Sequence, residues 1–268
     1  MKDHLLQTVR AHPVDQRANL AREYLQLYLL RLMHDAGSND DLAFVGGTAL
    51  RLLYRLPRFS EDLDFCHEPL PRRAKLDVAR LFDTLERGLS RANYDVTVKA
   101  KPERTVANAF FRFQGIPREA GWSRDPHIAV SIKVEMDLRP PKGARTETTL
   151  VQQFFPVSLR HYDLPSLFAG KLHAILARRW VKGRDWFDLV WYLTERKGLE
   201  PNLDLLEHAL AQTKTSALPR EGWRAAVKRR LETLDWKAVV ADLRPFVERQ
   251  SDLDVLSKEA IHKLLEDR

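Results

Sequence analysis

Asp62 and Asp64 stand one residue apart in Arg58-Phe59-Ser60-Glu61-Asp62-Leu63-Asp64-Phe65, downstream of Val45-Gly46-Gly47-Thr48-Ala49-Leu50. Two carboxylates at i and i+2 of a strand project from one face and repel each other unless a divalent cation lies between or beside them. Magnesium, or manganese in its place, suits such a site: it prefers oxygen ligands and leaves coordination positions for water and substrate phosphate. Held there, it would neutralise charge on a leaving pyrophosphate and activate an attacking oxygen. Gly46 and Gly47 allow the backbone to come close to a triphosphate, and the helix that follows offers free N–H groups and its positive end. Thr48 can add a hydroxyl. Ser60 can contact phosphate or merely end a turn.

The elements that must position these residues are legible from periodicity. Apolar residues at helical spacing from Val14 to about Ala36 predict a long first helix, ended by Gly37-Ser38-Asn39-Asp40. The run Leu42 to Val45 predicts a buried strand that turns at Gly46-Gly47 into a helix. Asp62 to Cys66 alternates as a strand, and Leu76 to Ala92 is amphipathic at helical spacing. Tyr94 to Ala100, Ala107 to Phe113 and His127 to Leu138 alternate apolar with polar, which suggests an antiparallel extension of the sheet. After Pro140-Pro141-Lys142-Gly143 helical periodicity takes over: Leu164 to Lys197, Leu203 to Gln212, Gly222 to Thr233 and Trp236 to the end. The expected class is α+β, with a mixed sheet in residues 1–155 and a helical bundle in 156–268.

The Gly46-Gly47-Thr48-Ala49-Leu50 block and Ser60-Glu61-Asp62-Leu63-Asp64-Phe65 together resemble the polymerase-beta-like nucleotidyltransferase superfamily. Their specific form is similar to the AbiEii/AbiGii branch, which includes the MenT-like toxins. The resemblance implies a metal-dependent nucleotidyltransferase of the EC 2.7.7 class, belonging to a type IV toxin–antitoxin or phage-defence system. Members of the branch move a nucleoside monophosphate from an NTP to RNA, so the expected acceptor is an RNA 3′ end, with tRNA preferred and translation blocked. It also implies a cognate antitoxin encoded nearby, acting without a stable complex.

A third carboxylate is usual in that superfamily, and Ile132-Lys133-Val134-Glu135-Met136-Asp137 offers two. Glu135, flanked by apolar Val134 and Met136, would emerge from the sheet toward the site. Asp137 lies nearer Pro140, where it could cap a turn, so both stay in play. A second block, Ala169-Gly170-Lys171-Leu172-His173-Ala174 through Arg184-Asp185-Trp186-Phe187-Asp188-Leu189, resembles the branch's downstream motifs. By resemblance Lys171 would hold NTP phosphates, and Asp185 would act as a base or orient the lysine and the acceptor. The expected helical part would thus complete the site.

Plainer readings stand beside these. Asp62 and Asp64 alone could be a solvated strand face, and Lys171 and Asp185 could be surface charges on helices. Arg184 and Asp188 at i, i+4 could simply support their helix. His173 reads as structural, and Cys66 as packing beside the site. Trp180, Trp186 and Trp191 recur at spacing that core packing explains as well as base stacking does. Arg51, Arg55 and Arg58, with Arg72 and Arg73, and a second group of Arg178, Arg179, Lys182 and Arg184, could track a phosphate backbone or form solvated helix faces.

Composition narrows the classes. The 268 residues are 44% hydrophobic, enough to bury a continuous core without staples. A net charge of +7 favours polyanionic partners. The single cysteine, Cys66, excludes an internal disulfide and a thiolate metal cage, and fits a reducing cytoplasm. The mixed polar start Met1-Lys2-Asp3-His4 argues against a signal peptide or membrane span. Two other functions fit the same residues: transfer of the nucleotide to a hydroxyl on a protein or small molecule, and a non-catalytic RNA-binding module.

Overall fold

The computed structural model of the protein describes residues 1–71, 76–219, 222–254 and 256–266. In chain order they form α1 (Lys2–Arg10), α2 (Val14–Asp35), β1 (Leu42–Val45), α3 (Gly46–Tyr54), β2 (Leu63–His67), α4 (Val78–Arg91), β3 (Val96–Lys101), β4 (Val106–Phe113), α5 (Ile116–Glu119), β5 (Val130–Asp137), β6 (Thr146–Gln152) and β7 (Pro156–Tyr162). There follow α6 (Leu164–Ala177), α7 (Gly183–Glu195), α8 (Leu203–Gln212), α9 (Trp223–Glu232), α10 (Trp236–Leu243), α11 (Ser251–Asp254) and α12 (Lys258–Glu266). The class is α+β, built on a seven-stranded mixed sheet ordered β3-β4-β5-β2-β1-β7-β6. The strands β3, β4 and β5 pair antiparallel, β5 and β2 parallel, β2 and β1 antiparallel, and β1 and β7 parallel.

The chain divides into two compact units. The first comprises Met1–Ala49, Ser60–Arg139 and Thr148–His161; the second comprises Leu50–Phe59, Pro140–Glu147 and Tyr162–Arg268. The expected boundary near Pro156 therefore falls in front of β7, a strand of the sheet, and the segment Leu50–Phe59 groups with the later helices.

In the first unit the strand pattern of β4 and β5 decides the packing. Ala107, Ala109, Phe111 and Phe113 of β4, with Ile132, Val134 and Met136 of β5, are fully buried. Their face is covered by α2 on β5 and by α4 on β3. Helix α4 supplies Leu81, Phe82, Leu85 and Leu89 at i, i+3, i+4 spacing, and Asp77 caps its start by accepting from Arg80 N–H at 3.0 Å. Helix α2 is buried without a break from Glu23 to Leu30, so it is a central helix and not a surface one. Its two buried polar side chains are answered: Glu23 accepts from Gln153 Nε2 at 2.5 Å, and Gln26 donates to the Ser60 carbonyl at 3.1 Å.

In the second unit α6 packs on α7, α8 and α9, and α7 on α10 and α12. The expected single helix from Leu164 to Lys197 is two, interrupted between Arg178 and Lys182. Two strands, β6 and β7, lie where no strand was expected. The reason is visible in β6: Thr-Glu-Thr-Thr-Leu-Val-Gln is almost wholly exposed on both faces and so carries no apolar alternation. Among the described residues no helix is long and apolar enough to cross a membrane.

Gly183 shows how tightly the second unit is packed. A methyl group there would collide with the Val239 carbonyl on α10. Gly183→Ala should therefore lower the unfolding free energy by about 1–3 kcal/mol, read as a drop in the urea midpoint at unchanged m-value.

Candidate active site

The site in the first unit starts from the turn between β1 and α3. Gly46 has φ 83°, a left-handed backbone that a side chain resists. A Cβ on Gly46 would also run into the Asp64 carboxylate. The close approach of Asp64 to the turn therefore needs glycine twice over. Thr48 is fully buried, and its hydroxyl donates to the Asp62 carbonyl. This corrects the expectation that Thr48 lends its hydroxyl to a triphosphate: the hydroxyl ties α3 to the chain entering β2. Ser60 is half-buried, and its carbonyl is held by Gln26.

The sheet register brings the acids into line. Val45 pairs with Asp64, and Asp64 with Glu135 across the parallel β2–β5 pair. Register partners on neighbouring strands point to the same face, so Asp64 and Glu135 lie side by side. Asp62 lies just ahead of β2, which begins at Leu63 and not at Asp62, and its carbonyl accepts from the Thr48 hydroxyl. Asp137 pairs instead with Cys66, and its Oδ1 accepts from Arg139 N–H at 2.9 Å, the turn-capping role. Of the two candidates for a third acid, Glu135 is the one beside Asp64.

Glu135 also makes an ion pair with Lys133 at 2.7 Å. Among the described residues no group of three or more His, Cys, Asp or Glu side chains is gathered closely enough to hold a metal ion. By register Glu135 stands beside Asp64, and its carboxylate is engaged by Lys133. The Asp64 carboxylate at the glycine corner, with Asp62 two residues before it, fits magnesium, which takes one or two carboxylates and completes its shell with phosphate oxygens and water.

The second unit carries a buried charge cluster. Arg58 Nε and Nη2 each meet Asp188 at 2.6 Å in a bidentate pair, with Arg58 1% and Asp188 0% exposed. Lys171 on α6 lies 2.7 Å from Asp188 and 3.1 Å from Asp185 on α7. Arg178, where α6 ends, pairs with the other oxygen of Asp185. Burial alone would raise the Asp188 carboxyl, but the charges and hydrogen bonds of Arg58 and Lys171 outweigh it and hold the group below its ordinary value of 3.8. Asp185 positions Lys171 and Arg178, with both carboxylate oxygens engaged.

Among the described residues the cluster is cationic on balance, with Arg58, Lys171 and Arg178 paired to Asp185 and Asp188. Lys182 is held below the ordinary lysine value, first by burial and then by Arg184 and Arg178. A shallow cleft beside it is lined by Arg178, Trp180, Lys182, Asp185 and Arg230. His173 is likewise shifted down, by burial and then by Arg178, and hydrogen-bonds Thr213 at 3.0 Å.

Several sequence expectations change here. Arg58 was read as an RNA contact; it is buried and committed to Asp188. Arg51 is engaged too, donating to the Leu56 carbonyl, pairing with Glu248 at 2.5 Å and lying over the Phe59 ring. Arg55 and Arg179 are exposed. Arg72 and Arg73 lie outside the described residues. The supposed Arg184–Asp188 helix pair does not form; Arg184 stacks on Phe246 at 3.9 Å and faces Asp242 at 3.9 Å. Trp186 and Trp191 are core, whereas Trp180 is 68% exposed. The sequence shows Asp188 only as the i+4 partner of Arg184 and Arg178 only as one of a basic group; the fold instead joins Asp188 to Arg58 and Lys171, and Arg178 to Asp185.

A mixed sheet that seats an Asp-x-Asp strand against a Gly-Gly turn is the arrangement of a nucleotidyltransferase. The family model described as "Nucleotidyl transferase AbiEii toxin, Type IV TA system" matches residues 28–261, and the chain belongs to that family. It is thus a nucleotidyltransferase toxin, a transferase of the EC 2.7.7 type, and membership implies a cognate antitoxin. Two solved structures from Helicobacter pylori share the fold. JHP933 aligns with TM-score 0.55 at 19% identity over 92% of this chain and 88% of its own; the other aligns with TM-score 0.55 at 20% identity over 92% and 90%. MenT4, a nucleotidyltransferase toxin of Mycobacterium tuberculosis H37Rv, aligns at 18% identity over 98% and 99%, with TM-score 0.49. No curated protein matches the sequence.

The buried pair makes a stability prediction. Asp188 has a folded-state pKa below its unfolded one, so its contribution is complete above about pH 4 and is lost as pH falls through the depressed folded value. Denaturant midpoints followed from neutral pH to about pH 3 should fall in the wild type. In Asp188→Asn the acid-dependent slope should be shallower, and at neutral pH the protein should be less stable by about 3–5 kcal/mol because Arg58 is left buried and unanswered.

Proposed function

We propose that the protein transfers a nucleoside monophosphate from an NTP to the 3′-hydroxyl of an RNA, with tRNA as the acceptor, and thereby stops translation. Magnesium, or manganese, is the cofactor. The observation that carries this reading is the seating of Asp64, whose carboxylate lies against Gly46 on one side and beside Glu135 on the other. Acids gathered at a glycine turn suit a cation that meets a triphosphate.

Asp62 and Asp64 hold the cation, with Glu135 as the third carboxylate beside them. When bound, the ion supplies charge neutralisation on the departing pyrophosphate and a more acidic attacking hydroxyl. Gly46 and Gly47 let the backbone N–H groups at the start of α3 approach the phosphates. Lys171 is a phosphate contact in this reading, supported by the excess of positive charge around it, and Asp185 orients it. The residues thus align and neutralise, which is most of what phosphoryl-type transfer asks of a protein. A repressor-type antitoxin encoded alongside and acting without a stable complex, and a role in phage defence, complete the proposal.

Incubation of the protein with radiolabelled NTP, magnesium and total RNA tests it. Label should enter RNA of tRNA size and should vanish with EDTA. Asp64→Ala should lower the rate by at least about a hundredfold, the scale of removing an electrostatic contact to the transferring group. Label in protein or a small molecule would favour those acceptors, and RNA binding without NTP binding would favour a non-catalytic module.

A further inference from the structure

The open face of the antiparallel extension has no role in the reading above. Strands β4 and β5 bury one face, β3 has no buried residue, and the side chains of the other face are exposed or half-buried. At the centre of that open face is Phe110, 45% exposed, where a polar residue would serve solubility better. Its register partners are Lys99 on β3 and Lys133 on β5, and the Lys133 ammonium lies 5.5 Å from the ring centroid. Arg112 is the next outward-facing residue of β4, and Lys101 the next of β3.

We propose that this face is the track along which a single-stranded RNA acceptor reaches the carboxylates. The proposal rests on the RNA reading above and adds the path of the strand. Charge complementarity identifies the occupant: Lys99, Lys101, Arg112 and Lys133 match a phosphate backbone, and an exposed ring among them is a platform for a base. A run of Asp and Glu side chains would satisfy the cations but leave the Phe110 ring without a stacking partner, whereas every nucleotide brings both a charge and a base. The track also leads to the chemistry. The row Lys101, Asn108, Glu135, Asp64 is continuous by register across β3, β4, β5 and β2. From β4 to β2 is two strand spacings, roughly 10 Å, a gap that the terminal nucleotides of a single strand bridge. Lys133 joins the two regions, touching Phe110 on one side and Glu135 on the other.

The test uses the full chain with 5′-fluorescein single-stranded RNA in binding, and with labelled NTP in transfer. Phe110→Ala should raise the RNA KM about tenfold. Its kcat at saturating RNA, its KM for NTP and its thermal midpoint should match the wild type. Phe110→Trp should keep or improve RNA binding. Lys99→Glu combined with Lys101→Glu should weaken binding further and flatten its salt dependence. If the wild type labels RNA and these variants keep its RNA KM, the track is wrong while the function stands. If the wild type labels no RNA, the acceptor reading fails and the track falls with it. Binding of polyglutamate in preference to the RNA would overturn the track in favour of a protein partner.

Discussion

The pairing of Val45 with Asp64 and of Asp64 with Glu135 is the constraint on which the site depends. Side chains alternate across a strand, so a slip of one residue in β2 would send Asp62 and Asp64 to the helix-covered face and bring Leu63 and Phe65 out. Buried Leu63 and Phe65 oppose that slip on one side, and Gly46 receives the Asp64 carboxylate on the other. Thr48 and Gln26 fix the chain just before the strand, through the carbonyls of Asp62 and Ser60. Apolar burial and local hydrogen bonds therefore agree on one register, and that register places the acids.

The second unit solves a different problem. Charges removed from water are costly unless each is answered within hydrogen-bonding distance. Asp188 receives a planar two-point contact from Arg58 and a point contact from Lys171, while Asp185 shares Lys171 and takes Arg178. The guanidinium's fixed fork suits the buried partner, and the flexible lysine serves both carboxylates. With three cations on two anions, the cluster stays attractive to a further anion.

Much of this was legible in the chain itself. Apolar periodicity located α2, β1, α4 and the β3–β5 extension to within a few residues: α4, β4 and β5 alternate buried with exposed positions, while α2 and β1 carry concentrated apolar runs. The order of the glycine pair and the acidic pair in the chain anticipated that Asp64 would stand against the Gly46 turn. What was hidden depended on distance or on the lack of contrast. Arg58 and Asp188 are far apart in sequence, so Arg58 looked like another surface cation and Asp188 like the i+4 partner of Arg184. β6 exposes both faces and offered no pattern, and the break between α6 and α7 lies in a stretch of Arg, Trp and Lys with no proline to mark it. Thr48 looked like a ligand because hydroxyls beside glycine turns can be, but a buried hydroxyl first answers the nearest carbonyl.

The order of strands in the sheet has a consequence for the order in which the site can be built. β1 and β2 emerge early and pair with each other, yet β5, which carries Glu135, is translated long after Asp64, and β7, which flanks β1 on its other side, comes later still. Pairings that close such long stretches of chain form slowly and late. A nascent or truncated polypeptide ending before β5 holds the glycine corner and its aspartates without the neighbouring strand that aligns them. Such a chain lacks both Glu135 and one of the two strands that hold β2 in register.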